Sequence, residues 1–201
     1  MDKRVFLAAL LGGIAMFVWT SLAHMVLPLG EAGVKEMPGE QPMLAAMHAS
    51  IGESSGFYFF PGTGLGPDAT MAQKRAAMDQ YGQKLAANPS GILIYHPAGA
   101  KPMTTGQLAT EFFTELVEAL LVVILLAQAR LGSFASRLGF VIVAGMLASI
   151  ATNVSYWNWY GFPATYTVAY MTTNLVGFLC VGLVAAAMLK EHARVAFTAA
   201  A

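Results

Sequence analysis

One apolar stretch, residues Leu108–Ala129, limits the possible folds of this chain more than any other feature. As a helix it would extend roughly 33 Å, enough to cross a bilayer core of about 30 Å. It nevertheless contains Glu111, Glu115 and Glu118, which share roughly a 60° arc of one helix face because successive residues turn by about 100°. Its acid-free part, Leu120–Ala127, is too short to span a membrane alone. The stretch therefore predicts a transmembrane helix that carries Glu115 and Glu118 into the membrane, with Glu118 near the midplane.

The composition is that of a membrane protein, so the lipid bilayer is the first expected partner. Hydrophobic residues make up 57% of the chain and charged residues 11%, whereas soluble domains contain about 25% charged residues. The formal net charge is zero, so no basic excess favours a nucleic-acid partner. The single cysteine, Cys180, excludes an internal disulfide and a cysteine-rich metal motif.

Three further apolar runs are long enough to span a membrane: Val5–Leu29, Leu138–Trp157 and Ala164–Leu189. Together with Leu108–Ala129 they predict an all-α membrane protein with a four-helix transmembrane bundle. The first run also resembles a signal peptide, with Ser21–Ala23 as a candidate cleavage site, but its length favours a retained helix. In the run Leu138–Trp157, small and polar residues recur every four positions and predict close helix packing: Gly145, Ser149 and Asn153.

The segment Gly30–Gln107 differs from the rest of the chain because it holds most of the prolines and many charged residues. It therefore lies in water and is expected to form a small α+β extracytoplasmic cap between spans one and two. Asp68 is the expected N-cap of its second helix. The pattern predicts helices over Pro42–Ile51 and Ala69–Ala87 and strands over Gly56–Phe60 and Ile92–Tyr95, the two strands pairing across the intervening helix.

Basic residues beside the predicted spans set the orientation. All of those next to the spans fall on one side of a four-span arrangement: Lys3, Arg4, Arg130, Arg137, Lys190 and Arg194. The positive-inside rule then predicts that both termini are cytoplasmic. The expected parts are the N-terminus with the first span (1–29), the outer cap (30–107), the remaining membrane helices (108–189) and a cytoplasmic tail (190–201). Aromatic residues in a predicted tight turn, Trp157–Pro163, are expected to anchor the chain at the outer interface: Trp157, Trp159 and Tyr160.

Polar residues of the predicted spans gather in the outer halves, whereas the inner halves are almost purely apolar. We call this group the polar cup, and it contains the candidate ligand- or cation-binding residues His24, Glu111, Glu115, Glu118, Asn153 and Asn174. His24 would lie about 8 Å inside the membrane, five residues before the end of the first span. The apolar floor beneath the cup argues against a simple pore, which needs polar lining along its length.

Each candidate also has a structural interpretation. The three glutamates would then hydrogen-bond to Asn153, Asn174 and His24 and hold the bundle together. His24 beside Glu115 is a candidate metal-binding pair, although a hydrogen-bonded structural histidine fits the same pattern. The sequence contains no glycine-rich phosphate loop and no HExxH, GxSxG or CxxC motif, so it predicts no catalytic residue and identifies no cofactor.

Four strings of sequence resemble those of an uncharacterised family of small bacterial four-span membrane proteins. They are FVWTSLAHMVLP in the first span, GFYFFPG and ILIYHP in the outer segment, and WNWYGFPATYT before the last span. The resemblance covers most of the chain, and WNWYGFPA is its most distinctive part. It implies location in a bacterial inner membrane, and it carries no activity, substrate or site residue.

The leading functional hypothesis is a non-catalytic membrane protein. It would be an accessory subunit of a larger membrane assembly, or of an assembly of its own copies, or a module that binds a small ligand in the polar cup. The alternative is a membrane enzyme or a proton- or cation-coupled carrier that uses Glu115 and Glu118. A third hypothesis is a structural protein that acts through its outer segment.

Overall fold

The computed structural model describes residues 2–189, and the predicted tail 190–201, with Lys190 and Arg194, lies outside them. Helices make up 68% of the described chain, which confirms a mostly helical protein with a small two-stranded sheet. In chain order, the described elements are α1 (Lys3–Met25), α2 (Glu40–Ile51), β1 (Gly56–Phe60), α3 (Met71–Ala87), β2 (Gly91–Tyr95), α4 (Thr105–Gln128), α5 (Phe134–Tyr160) and α6 (Ala164–Met188).

Three of these helices, α1, α5 and α6, are long and apolar enough to cross a membrane. The protein is therefore a membrane protein with a helical bundle. The helix α4 has 24 residues and comparable length, but its three glutamates set it apart from the other long helices. A fourth membrane span remains a prediction at this point.

The chain divides into two compact units, and the smaller one comprises Glu36–Pro102. It contains α2, β1, α3 and β2, and its strands pair in antiparallel register with Gly56 opposite Tyr95 and Phe60 opposite Gly91. The predicted pairing of these strands across a helix is thus confirmed. The Tyr95 hydroxyl donates a hydrogen bond of 2.9 Å to the Gly52 carbonyl, which ties β2 to the end of α2.

The N-terminus of α3 differs from the prediction. Thr70, and not Asp68, caps the helix, because its side chain accepts a hydrogen bond from the Gln73 backbone N–H. The Gln73 side chain in turn accepts from the Thr70 backbone N–H, which completes a capping box. Asp68 has no glutamate or glutamine three residues later, so it cannot form this reciprocal pair.

In the larger unit, α1 packs against both α4 and α6. The rings of Phe17 and Phe112 meet edge to face with centroids 5.1 Å apart, while Gly13, earlier in α1, approaches Leu116, later in α4. The two helices are therefore antiparallel. Both contacts lie in the part of α4 that carries the glutamates, so α1 and the acidic part of α4 are direct neighbours.

The helix α6 is antiparallel to both α1 and α5. Gly12 meets Val181, and Met16, one turn later in α1, meets Gly177, one turn earlier in α6. On the other side of α6, Gly145 of α5 meets Phe178, and Val141, one turn earlier in α5, meets Gly182, one turn later in α6. Successive neighbours in space thus alternate in direction, as in an up-and-down helix bundle.

The tightly packed part of the larger unit lies where α1 and α5 begin and where α4 and α6 end. Its buried apolar residues are Val5, Ala8, Ala9, Met16, Ala119, Val122, Val123, Leu126, Val141, Phe178, Val181, Ala185 and Leu189. The helices α4 and α5 make little contact with each other, although a short loop joins them. The opposite end of α4 is therefore packed mainly against α1.

Several predicted boundaries differ from the observed ones, and two of the differences have a clear physical cause. The first span was expected to reach Leu29, but α1 ends at Met25, because Pro28 lacks a backbone N–H and disfavours helical geometry in the residue before it. The aromatic turn was expected to begin at Trp157, but α5 continues to Tyr160. Gly161 ends the helix in the left-handed conformation, with φ of 70°, which costs glycine little.

Replacement of Gly145 by alanine should destabilise the bundle. A Cβ atom at this position would lie 2.6 Å from the Cβ of Phe178, so we expect overpacking to lower the free energy of unfolding by about 1–3 kcal/mol. Gly139 in the same helix is a matched control because a Cβ there would meet nothing within 4 Å. Unfolding in mixed micelles checks the prediction, and equal stability of Gly145→Ala and Gly139→Ala would contradict the close approach of α5 and α6.

Candidate functional site

The centre of the candidate site is a hydrogen bond between α1 and α4. The Thr20 hydroxyl donates to Oε1 of Glu115 over 2.6 Å, and both side chains are buried. Thr20 also lies 3.1 Å from the Phe17 carbonyl, but a hydroxyl carries one hydrogen and donates to one acceptor at a time. The two residues are 95 positions apart in sequence, so this bond is part of what fixes α4 beside α1.

Glu115 is the most deeply buried acidic side chain of the described chain, with 3% of its surface exposed. Its second oxygen, Oε2, has no hydrogen-bond partner and no contact with solvent. A carboxylate has two oxygens and can accept about four hydrogen bonds, and a buried polar atom without a partner costs free energy. The hydrogen-bonding capacity of Glu115 is therefore only partly used. Thr20 donates to Oε1, whereas Oε2 has no donor.

The two other glutamates of α4 lie on either side of Glu115 along the helix, and both are more exposed than Glu115. Glu118 is half-buried and Glu111 is exposed, and both are close enough to interact electrostatically with Glu115. Glu118 also lines an open groove of about 520 Å³ along α4, together with Thr110 and Thr114. The acidic residues therefore form a graded series from a buried carboxyl group to the surface.

His24 lies closer to the surface than the sequence suggested. Because α1 ends at Met25, the histidine is in the last turn and exposed, and not five residues inside the helix. Its Nδ1 lies 2.9 Å from the Thr20 carbonyl, and since a carbonyl only accepts, Nδ1 carries the hydrogen of this bond. Thr20 thus bonds to His24 through its backbone and to Glu115 through its side chain.

A series of aromatic rings leads from the start of α6 to this group. The rings of Phe162 and Tyr166 have centroids 5.4 Å apart, and Tyr166 stacks on Tyr170 at 5.2 Å. Tyr170 then meets the His24 ring edge to face at 5.9 Å and lies within electrostatic range of Glu111. We call this series, which ends at the His24 ring, the aromatic wall.

The segment after α1 turns back onto this wall. A Cβ atom at Gly30 would lie 3.0 Å from the His24 ring, and one at Gly33 would lie 2.8 Å from the Tyr166 backbone nitrogen. Gly33 also has a φ of 80°, a conformation that suits glycine. These two glycines allow the chain to pass directly over His24 and Tyr166, which fixes the edge of the site.

The two asparagines of the predicted cup have different surroundings. Asn174 is half-buried and lies one helical turn after Tyr170, on the same face of α6. Asn153 is buried in α5, where its Nδ2 donates 2.9 Å to the Ser149 carbonyl of its own helix. Asn174 therefore lies on the aromatic side of the site, whereas the Asn153 amide bonds to the backbone of its own helix.

The residues that the structure describes contain no group of three histidine, cysteine, aspartate or glutamate side chains placed to hold a metal ion. His24 and Glu115, the candidate metal pair, are connected through Thr20. The three predicted interface anchors, Trp157, Trp159 and Tyr160, all lie exposed in the last turn of α5.

Sequence reasoning missed Thr20, which looks like any other threonine in an apolar run, and the buried role of Arg137. The Arg137 guanidinium donates to the carbonyls of Leu131, Gly132 and Ala186 at 3.0–3.2 Å. It thereby joins the α4–α5 loop to the last turn of α6, where a positive charge complements the helix dipole.

Comparison with known proteins found no relative of this chain. No protein-family model matches the chain, and no curated protein or solved structure is similar to it. The resemblance to small four-span bacterial membrane proteins therefore stays a prediction, and the function is argued from the site alone.

Substitution of Thr20 by valine should destabilise the larger unit. Valine has a similar shape but leaves both oxygens of buried Glu115 without a partner, so we expect the free energy of unfolding to fall by about 1–3 kcal/mol. Thr172→Val is the matched control, because that exposed hydroxyl bonds only to Val168 of its own helix. Unfolding in mixed micelles measures both variants, and a Thr20→Val protein as stable as Thr172→Val would refute the Thr20–Glu115 bond.

Proposed function

We propose that this chain is a non-catalytic, four-span membrane protein that binds a small ligand in an outward-facing polar cup. The observation that carries the proposal is the half-satisfied Glu115, buried to 3% exposure with Oε2 unpartnered. Ionisable side chains at membrane depth are costly and are usually retained for a function. A ligand that donates a hydrogen bond to Oε2 would remove this cost.

The position of α4 beside α1 supports a fourth span. The helix α1 is long and apolar enough to cross a membrane, and α4 contacts it at Phe17 through Phe112 and at Thr20 through Glu115. Two antiparallel helices joined along these contacts share the same depth. Since Glu115 is buried against α1 and Glu118 is half-buried, their presence does not exclude α4 from the membrane.

The proposed orientation places both termini in the cytoplasm of a bacterial inner membrane and residues 30–107 outside. Basic residues support it, because Arg4, Arg130 and Arg137 all lie near the same end of the larger unit. The bacterial membrane is supported by the resemblance of the WNWYGFPA string. Under this orientation the glutamates of α4 lie in the outer half of the membrane.

The packing of the inner halves favours binding over transport. Apart from Arg137, whose guanidinium is bound to backbone carbonyls, the buried residues there are apolar and closely packed, including Val5, Val123, Val141 and Val181. A carrier or pore needs polar groups on both sides of its binding site. We therefore favour a binding site that is closed at its inner end over the alternative of a proton- or cation-coupled carrier.

One observation favours an accessory-subunit role as a second candidate. The helix α5 packs mainly on α6 and is the least buried of the three helices of spanning length. Its free face carries large apolar side chains, among them Val143, Leu147 and Ile150. A membrane partner bound here would appear as a stoichiometric second protein when the chain is extracted under mild conditions.

Cysteine labelling tests the fourth span. In a Cys180→Ala background, Ser54→Cys lies between α2 and β1 and Ala135→Cys lies at the start of α5, both exposed. If α4 crosses the membrane, an impermeant maleimide should label Ser54→Cys on intact spheroplasts and Ala135→Cys only after permeabilisation. Labelling of both positions from the same side would contradict a membrane-spanning α4.

Native mass spectrometry of the gently extracted protein tests ligand binding. We expect a small-molecule adduct on the wild-type chain, because a donor to Glu115 Oε2 stabilises the site, and we expect Glu115→Gln to lose it. Asp79→Asn, which changes an exposed acid of α3, is the matched control and should retain the adduct. A wild-type chain without an adduct, or an adduct that survives Glu115→Gln, would contradict the proposed cup.

A further inference from the structure

The charges around the polar cup are unbalanced. Glu111, Glu115 and Glu118 lie on one face of α4, and among the described residues the one ion pair is between His48 and Glu53 in the smaller unit. No lysine or arginine of the described chain therefore neutralises the acids of α4. Acidic side chains in a membrane protein are normally paired or solvated, so the cup has the charge pattern of a site for a cation.

The unpartnered Oε2 of Glu115 indicates which kind of cation would bind. Oε2 lacks a hydrogen-bond donor, while Thr20 already donates to Oε1. A cation with N–H groups would satisfy Oε2 and neutralise charge at once, and such charge-assisted hydrogen bonds are about twice as strong as neutral ones. The described residues offer no cluster of three metal-ligating side chains, so an ammonium group fits this site better than a divalent metal ion, which needs several ligands.

The aromatic wall supports the same class of ligand. Tyr166 and Tyr170 stack on each other, and Tyr170 lies within electrostatic range of Glu111. The face of an aromatic ring attracts a cation, because the ring carries negative charge density on its faces. An ammonium ion held at Glu111 would therefore also be within electrostatic range of Tyr170.

The exposure gradient suggests how such a ligand reaches Glu115. Glu111 is exposed and is the acid of α4 nearest the proposed outer end, so it would attract a cation first. Oε2 of Glu115 has no solvent contact, so an ammonium group reaches it only by displacing a neighbouring side chain. Binding should therefore include a small rearrangement after the first encounter.

We propose that the polar cup binds a small alkylammonium ion, a protonated amine whose N–H groups donate to Glu115 while its charge faces Glu111, Glu118 and Tyr170. This inference rests on the proposed ligand-binding function and names its ligand class. It requires an N–H donor and a positive charge together, which separates it from binding of a neutral molecule or of a quaternary ammonium ion.

Calorimetric titration of the full-length protein in nanodiscs tests the inference. The probes are n-butylammonium, which carries N–H donors, and tetramethylammonium, which has the charge but no donor. We expect butylammonium to bind the wild type and Asp79→Asn equally, and to bind Glu115→Gln at least tenfold more weakly, about 1.4 kcal/mol. Tetramethylammonium should bind the wild type at least tenfold more weakly than butylammonium.

Equal affinity of butylammonium for Glu115→Gln and Asp79→Asn, or equal affinity of the two probes for the wild type, would overturn the inference. If Glu115→Gln does not fold, the exposed Glu111→Gln replaces it, and unchanged butylammonium affinity in that variant is equally contradictory. A neutral or anionic adduct in the native mass spectrum that depends on Glu115 would refute the amine but keep the cup, whereas absence of any bound molecule would refute both.

Discussion

The hydrogen bond between Thr20 and Glu115 is the interaction on which the rest of the larger unit depends. A glutamate at 3% exposure must have a partner inside the protein, and Thr20 provides it at 2.6 Å. This bond turns the Glu115 carboxyl group towards α1 and away from the surface of the larger unit. Once α4 is fixed in this way, α1 is left between α4 and α6, and α5 packs on the far side of α6.

The two ends of the bundle differ in packing and polarity. At one end, small residues such as Gly12 and Gly145 let the backbones approach, and the apolar core gains dispersion contacts that stabilise the packing. At the other end, polar and aromatic side chains replace this core, and Oε2 of Glu115 is left without a partner. Stability is therefore concentrated at the apolar end, which permits an incompletely satisfied group at the opposite end.

The features that repeat along the chain could be predicted from sequence. The acidic face of α4 follows from the spacing of Glu111, Glu115 and Glu118, and the pairing of β1 with β2 follows from two apolar runs bounded by turn residues. Where the prediction failed, a single residue decided the outcome. Pro28 ended α1 early and moved His24 to the surface, and Gln73 transferred the cap of α3 from Asp68 to Thr70.

Single side-chain contacts between distant helices could not be predicted, because no local pattern encodes them. Thr20 is 95 residues from Glu115, and Arg137 is 49 residues from Ala186. The sequence marked Arg137 only as a basic residue near a span, although its guanidinium bonds to three backbone carbonyls. Likewise, the sequence around Gly33 does not indicate that the backbone there passes over Tyr166.

The central claim is that α4 carries Glu115 into the membrane, and a depth measurement on α4 tests it most directly. A nitroxide attached to Leu121→Cys, in a Cys180→Ala background, lies on the exposed side of α4 about one and a half turns after Glu115. We predict frequent collisions with oxygen, which is soluble in lipid, and rare collisions with a water-soluble nickel chelate. Frequent collisions with the nickel chelate at Leu121 would show that α4 lies in water and would contradict the account.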